Sequence, residues 1–131
     1  MVRPVLTLVT LTFLGWGASG CSAGALKTKA ASDMKCDKAQ VSIESIQSYV
    51  EKVSGCGQTD VYVKNLMQGQ WQSALDRASF DMDCPRDQLS STHLGGVTVG
   101  VTGCGSKMTY VAVSGNWVAN TDERPANKSA E

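Results

Sequence analysis

The chain contains one eleven-residue stretch twice, and this stretch decides the fold. Residues 101–111 read Val-Thr-Gly-Cys-Gly-Ser-Lys-Met-Thr-Tyr-Val, and residues 53–63, forty-eight positions earlier, read Val-Ser-Gly-Cys-Gly-Gln-Thr-Asp-Val-Tyr-Val. A second cysteine precedes each Gly-Cys-Gly cysteine by twenty residues, and a tryptophan follows each copy. The chain is therefore a tandem repeat of one small unit that contains two cysteines.

The repeat extends beyond this stretch. Residues 32–65 align with residues 80–113 without a gap, and eleven of the thirty-four positions are identical. The identical pairs are Asp33/Asp81, Met34/Met82, Cys36/Cys84, Gln40/Gln88, Ser42/Ser90, Val53/Val101, Gly55/Gly103, Cys56/Cys104, Gly57/Gly105, Tyr62/Tyr110 and Val63/Val111. Because the two copies are homologous, we expect them to share a fold.

The second copy resolves an ambiguity in the first. Taken alone, residues 38–53 have apolar residues near helical spacing. In the second copy, Gly95 and Gly96 separate two runs that contain β-branched residues, and this pattern is typical of a β-hairpin. We therefore predict a hairpin in both copies, with residues 47–48 at the first turn.

Each copy is predicted to have about four strands. In the second copy they lie near residues 79–84, 88–94, 97–102 and 108–113. Phe80, Met82 and Cys84 alternate with polar residues, as on a half-buried strand. A β-bulge at Gly103 would turn Cys104 towards the same face as the preceding valines. The predicted fold class is all-β, with two tandem four-stranded antiparallel meanders packed as a small sandwich or as paired sheets.

A disulfide in each copy is expected to stabilise so small a core. Four cysteines allow three pairings, and the duplication favours Cys36–Cys56 and Cys84–Cys104. Closing loops of this size contributes about 3 kcal/mol in the chain-entropy model. A domain of this size buries too little apolar surface to be more than marginally stable without such a crosslink.

The N-terminus has the features of an export signal. One positive charge at Arg3 precedes an uncharged apolar segment at residues 5–16, which is too short to span a bilayer. Residues 18–20, Ala-Ser-Gly, lie directly before Cys21. This arrangement resembles the lipobox of bacterial lipoproteins, in which the cysteine is diacylated and becomes the first residue. The resemblance implies lipidation of Cys21, which leaves an even set of four cysteines.

These features divide the chain into five segments. We predict a lipoprotein signal peptide at residues 1–20, a flexible tether at 21–31, β repeat 1 at 32–73, β repeat 2 at 74–121 and a disordered tail at 122–131. Several acyl chains give stable membrane anchoring. Ser22 follows the cysteine, and by analogy with bacterial sorting rules this suggests an outer-membrane lipoprotein that faces the periplasm or the cell surface.

The cysteine, Gly-Cys-Gly, Tyr-Val and tryptophan pattern also resembles that of small lipoproteins of myxobacteria. The resemblance covers both repeats and agrees with the lipobox at Cys21. It implies a location in the cell envelope and supplies no established activity.

Charge and motif content argue against several functions. Twelve basic and twelve acidic residues, with no basic run, make nucleic acid an unlikely partner. No Cys-x-x-Cys pair is present, so we predict no metal site and no cofactor. His93 is the single histidine, and no nucleophile motif accompanies it, so we predict no catalytic residue. Asp81 and Asp83 resemble a carboxylate pair, but the first copy has Lys35 in place of Asp83, which favours a solvated strand face.

The recurring aromatic residues remain. A binding surface is predicted at Tyr62, Trp71, Tyr110 and Trp117, since strand phase would place both tyrosines opposite the valine face, where an aromatic strip could bind a glycan or an envelope protein. In the alternative interpretation, which we favour, these residues cap the core or join the repeats. We predict a lipid-anchored envelope protein with a non-enzymatic binding or structural role; the alternative is an exported enzyme or inhibitor-like module that acts on cell wall or polysaccharide.

Overall fold

Two four-stranded sheets, one in each half of the chain, form the framework of the computed structural model, which describes residues 21–120 and 124–125. The first half contains helix α1 (Cys21–Asp33), a 3-10 turn (Lys38–Gln40) and strands β1 (Ser42–Gln47), β2 (Val50–Gly55), β3 (Gln58–Asn65) and β4 (Gln70–Ser73). The second half contains helix α2 (Ala74–Asp81), a 3-10 turn (Arg86–Gln88) and strands β5 (Ser90–Gly95), β6 (Thr98–Gly103), β7 (Ser106–Val113) and β8 (Asn116–Ala119).

Both sheets are antiparallel meanders. Sheet A has the order β1-β2-β3-β4, and sheet B has the order β5-β6-β7-β8. A two-residue strand, β9 (Arg124–Pro125), pairs with the free part of β7. Disulfides join Cys36 to Cys56 and Cys84 to Cys104, one in each half. The predicted fold class and the predicted cysteine pairing are confirmed.

The repeated Gly-Cys-Gly stretch forms the tight turn of the central hairpin in each half. Gly103 pairs with Ser106, so Cys104 and Gly105 are the two turn residues, with φ of 49° and 74°. Positive φ at both central residues is the type I′ geometry that matches strand twist. The β6–β7 register is continuous up to the turn. The predicted bulge at Gly103 is therefore wrong.

Position 103 requires a glycine for a different reason. A Cβ atom at this position would lie 2.5 Å from the carbonyl oxygen of Gln88 and 2.6 Å from Leu89 Cδ2. The glycine thus allows the segment that precedes β5 to pass close over the hairpin, and the cysteines at either end of the disulfide come within reach of each other.

The predicted first strand of repeat 2 is also wrong, because residues 74–81 form helix α2. Ser73 caps this helix, as its Oγ accepts a hydrogen bond of 3.0 Å from the backbone N–H of Asp76. Leu75 and Ala78 are buried, whereas Phe80 is exposed near the C-terminal end. The alternation of Phe80 and Met82 with aspartates arises where the helix ends, not on a strand. The fourth strand of each sheet instead lies after the tyrosine and contains the tryptophan.

The segment predicted as a flexible tether at residues 21–31 forms most of helix α1. Leu26, Ala30 and Met34 are buried on sheet A with Val53 and Tyr62. This packing holds the helix in place, because its apolar side chains would lose buried area if it moved away. Repeat 1 therefore begins with a helix, as repeat 2 does, and not at residue 32.

The main core is shared between the two halves. Val50, Val61 and Val63 lie on the face of sheet A that points away from α1, and they belong to the same apolar cluster as residues of α2 and sheet B. The cluster members from the second half include Ala74, Leu75, Ala78, Val99, Val101, Tyr110 and Trp117. Each half thus covers the other, and the two repeats form one folding unit.

Some predicted segments lie outside the described residues. The predicted signal peptide at residues 1–20 is one of them. The predicted disordered tail is another, except for Arg124 and Pro125, which form β9, so the prediction is wrong for these two residues. Within residues 21–120 and 124–125, no helix combines the length and apolar character that crossing a bilayer requires.

Candidate functional site

The four aromatic residues predicted as a binding surface do not form one. Tyr62, Tyr110 and Trp117 are buried, and Trp71 is half-buried. The register explains the difference, since Val99 lies directly opposite Tyr110 on the neighbouring strand, and paired residues share a face. Without a bulge at Gly103, the tyrosine joins the valine face and enters the core.

Each tyrosine fastens a helix to its sheet. The Tyr62 hydroxyl donates a hydrogen bond of 2.9 Å to Asp33 Oδ2 at the end of α1, and Tyr110 donates one of 3.0 Å to Asp81 Oδ2 at the end of α2. Each aspartate also forms an ion pair, at 2.9 Å, with a cation one helical turn earlier. The cation is Lys29 in α1 and Arg77 in α2. The identical Asp and Tyr positions of the repeat are thus structural.

The tryptophans have unequal roles. Trp117 Nε1 donates a hydrogen bond of 3.0 Å to the carbonyl oxygen of Gln72, so it joins the two halves across the core. Trp71 lies on β4 of sheet A, with the Lys64 ammonium 5.7 Å from its ring centroid. The arrangement agrees with the interpretation that the aromatics cap the core and join the repeats.

A buried polar cluster at the junction of the halves was not predicted from the sequence. Asp60 on β3 is fully buried, and its Oδ1 accepts hydrogen bonds from the backbone N–H groups of Val61 and Leu75. Its Oδ2 accepts bonds from the Ser73 hydroxyl and from Arg86 Nη2, the latter at 2.6 Å. Four donors occupy the four lone-pair positions of this carboxylate.

Arg86 belongs to the second half and completes the cluster. Besides Asp60, its guanidinium group contacts Ser73 Oγ at 2.6 Å and the carboxylate of Asp76, and Nη2 lies 3.4 Å from the Tyr62 hydroxyl. Burial raises the pKa of Asp60, and Arg86 opposes that effect. Burial acts to lower the pKa of Arg86, but the neighbouring carboxylates outweigh it and raise that pKa. The ion pair between Asp60 and Arg86 therefore joins the two halves, and we call this cluster the lock between the halves.

The repeat pattern could not reveal this cluster, because the pair of Asp60 and Arg86 is not repeated in the chain. The positions equivalent to Asp60 and Arg86 are Met108 and Lys38. A polar cleft of roughly 370 Å³ opens beside Arg86, lined also by Gln58 and Asp87. The terminal nitrogens of Arg86 already donate to Ser73, Asp76 and Asp60, so protein groups engage the cation beside this cleft.

The second concave site is apolar. A groove of roughly 410 Å³ lies between turns of the two halves. Its lining residues are Ser48, Tyr49, Val50, Val63, Lys64, Leu66, Met67, Val97, Ala112, Ser114 and Gly115. This volume lies within the range of ligand-binding sites in proteins, and apolar lining is typical of them.

The two halves contribute differently to this groove. The first half provides Tyr49, Leu66 and Met67, which are all more than half exposed, and Met67 is 98 % exposed. At the positions equivalent to Tyr49 and Met67, the second half has Val97 and Gly115. Gly115 lets its turn approach the first half closely, since a Cβ atom there would lie 2.6 Å from Asn65 Cα. The two halves therefore contribute different side chains to the groove at equivalent positions.

The loop that carries Met67 is ordered. Asn65 Oδ1 accepts hydrogen bonds of 3.0 Å from the backbone N–H groups of both Met67 and Gln68, and the N–H of Gly69 donates to the Asn65 carbonyl oxygen at 2.7 Å. Asparagine supports such turns through its own side chain. The loop is two residues longer than its equivalent in the second half, and this difference is visible in the sequence as a shift in spacing before the tryptophan.

The remaining sequence-predicted positions do not form a site. His93 lies on β5, where its Nε2 is 2.9 Å from the Gly96 carbonyl oxygen, and Asp81 is engaged by Tyr110 and Arg77. Among the described residues, no group of His, Cys, Asp or Glu is arranged to hold a metal ion. The side chain of Cys21 lies outside the described part of the structure, so its lipidation remains a prediction.

Comparison with known proteins adds no assignment: no protein-family model, no curated protein and no solved structure matches this chain.

Proposed function

We propose that this protein is an exported, lipid-anchored cell-envelope protein that acts by binding, without catalysis. The two disulfides indicate an oxidising extracellular or envelope environment. The apolar segment before Cys21 and its resemblance to a lipobox support export and anchoring at that residue, and the residue after it supports sorting to the outer membrane.

The groove between the halves is the proposed binding site. The observation that carries this proposal is Met67, which is 98 % exposed on a loop held by the Asn65 side chain. An exposed methionine on an ordered loop, beside an apolar concavity, is a feature of protein-binding surfaces, because its flexible thioether adapts to a partner. Two further exposed apolar residues, Tyr49 and Leu66, extend the same surface.

The proposed partner is an envelope protein that inserts an apolar segment. A glycan is less well supported, since sugar rings bind to exposed aromatic faces and Tyr49 is the single aromatic residue that lines the groove. A catalytic role has less support still, because the buried carboxylate of Asp60 is saturated by protein donors and lies away from the groove lining.

In-cell photo-crosslinking tests the binding site. A photoreactive residue in place of Met67 should give one discrete adduct with another envelope protein. The Tyr49→Asp variant removes an apolar wall, and aspartate tolerates the positive φ of 67° found there. We expect this variant to reduce the adduct at least tenfold.

The matched control is Phe80→Ser, which removes an exposed apolar side chain away from the groove and introduces the residue found in the first repeat. It should leave the adduct unchanged. An adduct that persists in Tyr49→Asp, or that is lost equally in Phe80→Ser, would refute the proposed site.

Mass spectrometry of the mature protein tests the anchor. We expect an N-terminal peptide that begins at Cys21 and carries lipid on its sulfur, and we expect the Cys21→Ser protein to lose its membrane association. A mature chain that begins at another residue, or that carries no lipid, would contradict anchoring at Cys21 and leave the groove proposal to stand alone.

A further inference from the structure

The outer face of sheet B carries an exposed apolar patch. Leu94, Val113 and Val118 are 58 %, 50 % and 47 % exposed, and Val111 is paired with Val118 and lies between them. Val111, Val113 and Val118 point away from the core, because strand alternation places Tyr110 and Trp117 on the opposite face. Leu94 lies on the same outer face, over Gly100. A patch of neighbouring apolar side chains on a sheet face is a mark of an interaction surface.

In the first half, the equivalent face of the sheet is buried. In sheet A the equivalent positions are Ile46 for Leu94 and Val63 for Val111, and both pack in the core shared by the halves. The second half of the chain therefore covers this face of sheet A. The same face of sheet B keeps the apolar residues but has no third repeat to follow it among the described residues.

Charge distinguishes the two faces further. Sheet A carries an ion pair of 3.0 Å between Lys52 and Glu44 at the margin of its covered face. The equivalent residues in sheet B are Gly100 and Thr92, which are uncharged. Leu94 lies over Gly100, since a Cβ atom there would be 3.3 Å from Leu94 Cδ1. At these two positions sheet B is therefore uncharged, whereas Lys107 lies on the same face near the other end of β7.

We propose that the outer face of sheet B binds a second copy of this chain, with the two B sheets packed face to face about a two-fold axis. A two-fold interface brings the same patch from each copy together, so the patch must be compatible with itself. The patch of Leu94, Val111, Val113 and Val118 meets this condition, because none of its four side chains carries a charge. Aligned packing of two sheets buries such residues between layers about 10 Å apart.

The C-terminal segment is a poorer occupant of this face. Residues 121–131 read Thr-Asp-Glu-Arg-Pro-Ala-Asn-Lys-Ser-Ala-Glu. The segment has five charged residues and no large apolar side chain, so it could cover the patch but would bury little apolar surface there. A second copy offers leucine and valine side chains to the same patch.

Photo-crosslinking within cells tests the interface on the full chain. A photoreactive residue in place of Val118 should produce an adduct of two differently tagged copies of the chain, with about twice the mass of one. The Leu94→Asp variant should reduce that adduct at least tenfold. Since Leu94 is more than half exposed, this variant should fold as the original does, with both disulfides formed.

Two controls separate this proposal from the groove. A photoreactive residue in place of Glu44, on sheet A, should give no adduct between copies, and Met67→Asp should leave the Val118 adduct unchanged. The proposal is overturned if Val118 crosslinks only to a different protein or only within its own chain, or if Leu94→Asp has no effect. As an independent measure, sedimentation of the purified full chain should show dimers that Leu94→Asp converts to monomers; monomers throughout would also overturn it.

Discussion

The hydroxyl group of Tyr62 lies 2.9 Å from Asp33 Oδ2, and this contact joins the end of a helix to the middle of a sheet. Tyr110 and Asp81 make the same contact in the second half. Duplication has preserved a local fastening within each half, whereas the lock between the halves, built on Asp60 and Arg86, occurs once. The two kinds of contact should respond differently to mutation.

Replacing either tyrosine with phenylalanine should weaken the fastening of its helix. Tyr62→Phe and Tyr110→Phe each keep the buried ring and remove one hydrogen bond to a charged group, which costs about 1–3 kcal/mol. We expect each variant to lose stability within that range in urea denaturation. A variant as stable as the original would show that the bond to the aspartate contributes nothing net.

Replacing Arg86 with methionine should have a larger effect. The change leaves the carboxylate of Asp60 buried without its counter-ion, and breaking one partner of a buried pair typically costs about 3–5 kcal/mol. Chemical denaturation at neutral pH measures this loss. As a control, Arg77→Met removes a cation that is half exposed and pairs with Asp81, so it should cost no more than about 1 kcal/mol.

The Arg86→Met variant should also show a characteristic pH dependence. Burial already raises the pKa of Asp60 above its ordinary value of 3.8, and loss of Arg86 removes the main opposing charge. A raised pKa means that the folded state binds the proton more tightly than the unfolded state does. The Asp60 carboxyl group of the variant therefore favours the folded state most at low pH, and the stability that the variant loses relative to the original protein should grow as pH rises through the raised pKa. A loss relative to the original protein that instead shrinks over that interval would contradict this assignment.

Gly55 and Gly103 occupy equivalent positions but should tolerate alanine unequally. A Cβ atom would lie 2.5 Å from the nearest backbone oxygen at Gly103 and 3.2 Å from the corresponding oxygen at Gly55. Overpacking of this kind costs about 1–3 kcal/mol. Gly103→Ala should therefore lower the melting temperature clearly more than Gly55→Ala, and equal effects in thermal unfolding would count against the steric explanation.

The two disulfides should contribute unequally as well. Each closes a loop between cysteines twenty residues apart, worth about 3 kcal/mol by the entropy of the unfolded chain. Cys84 also lies in the main core, whereas Cys36 is half-buried. The Cys84→Ala/Cys104→Ala variant should thus lose more stability than Cys36→Ala/Cys56→Ala. The reverse order in urea denaturation would show that core packing at Cys84 is unimportant.

The predicted strands and disulfides rested on repetition. Paired glycines in one copy indicated the hairpin in both, and equal cysteine spacing favoured one bridge per half. The same signal extends upstream into the helices, because Lys29 aligns with Arg77 and Ala30 with Ala78. Ser73 is also a suitable N-cap residue. Alternation of Phe80 and Met82 with aspartates imitated a strand because it falls where the helix ends.

The candidate site was less predictable for physical reasons. The faces of Tyr62 and Tyr110 depend on the register across the turn, and a shift of one residue exchanges the buried and exposed faces. The groove depends on packing between the halves, since its walls come from turns far apart in the chain. Its sequence signal is weak: a loop lengthened by two residues, with Leu66 and Met67 where the other copy has Ser114 and Gly115.

Cys21 lies in helix α1, and Leu26, five residues later in the same helix, is buried in the core. At about 1.5 Å of rise per helical residue, this leaves roughly 8 Å between the proposed lipid attachment and the packed body. A lipoprotein built in this way is connected to its lipid by a short helical segment and not by a long flexible linker. Its height above the bilayer and its tilt would vary little, so a partner must come to the membrane surface to meet it.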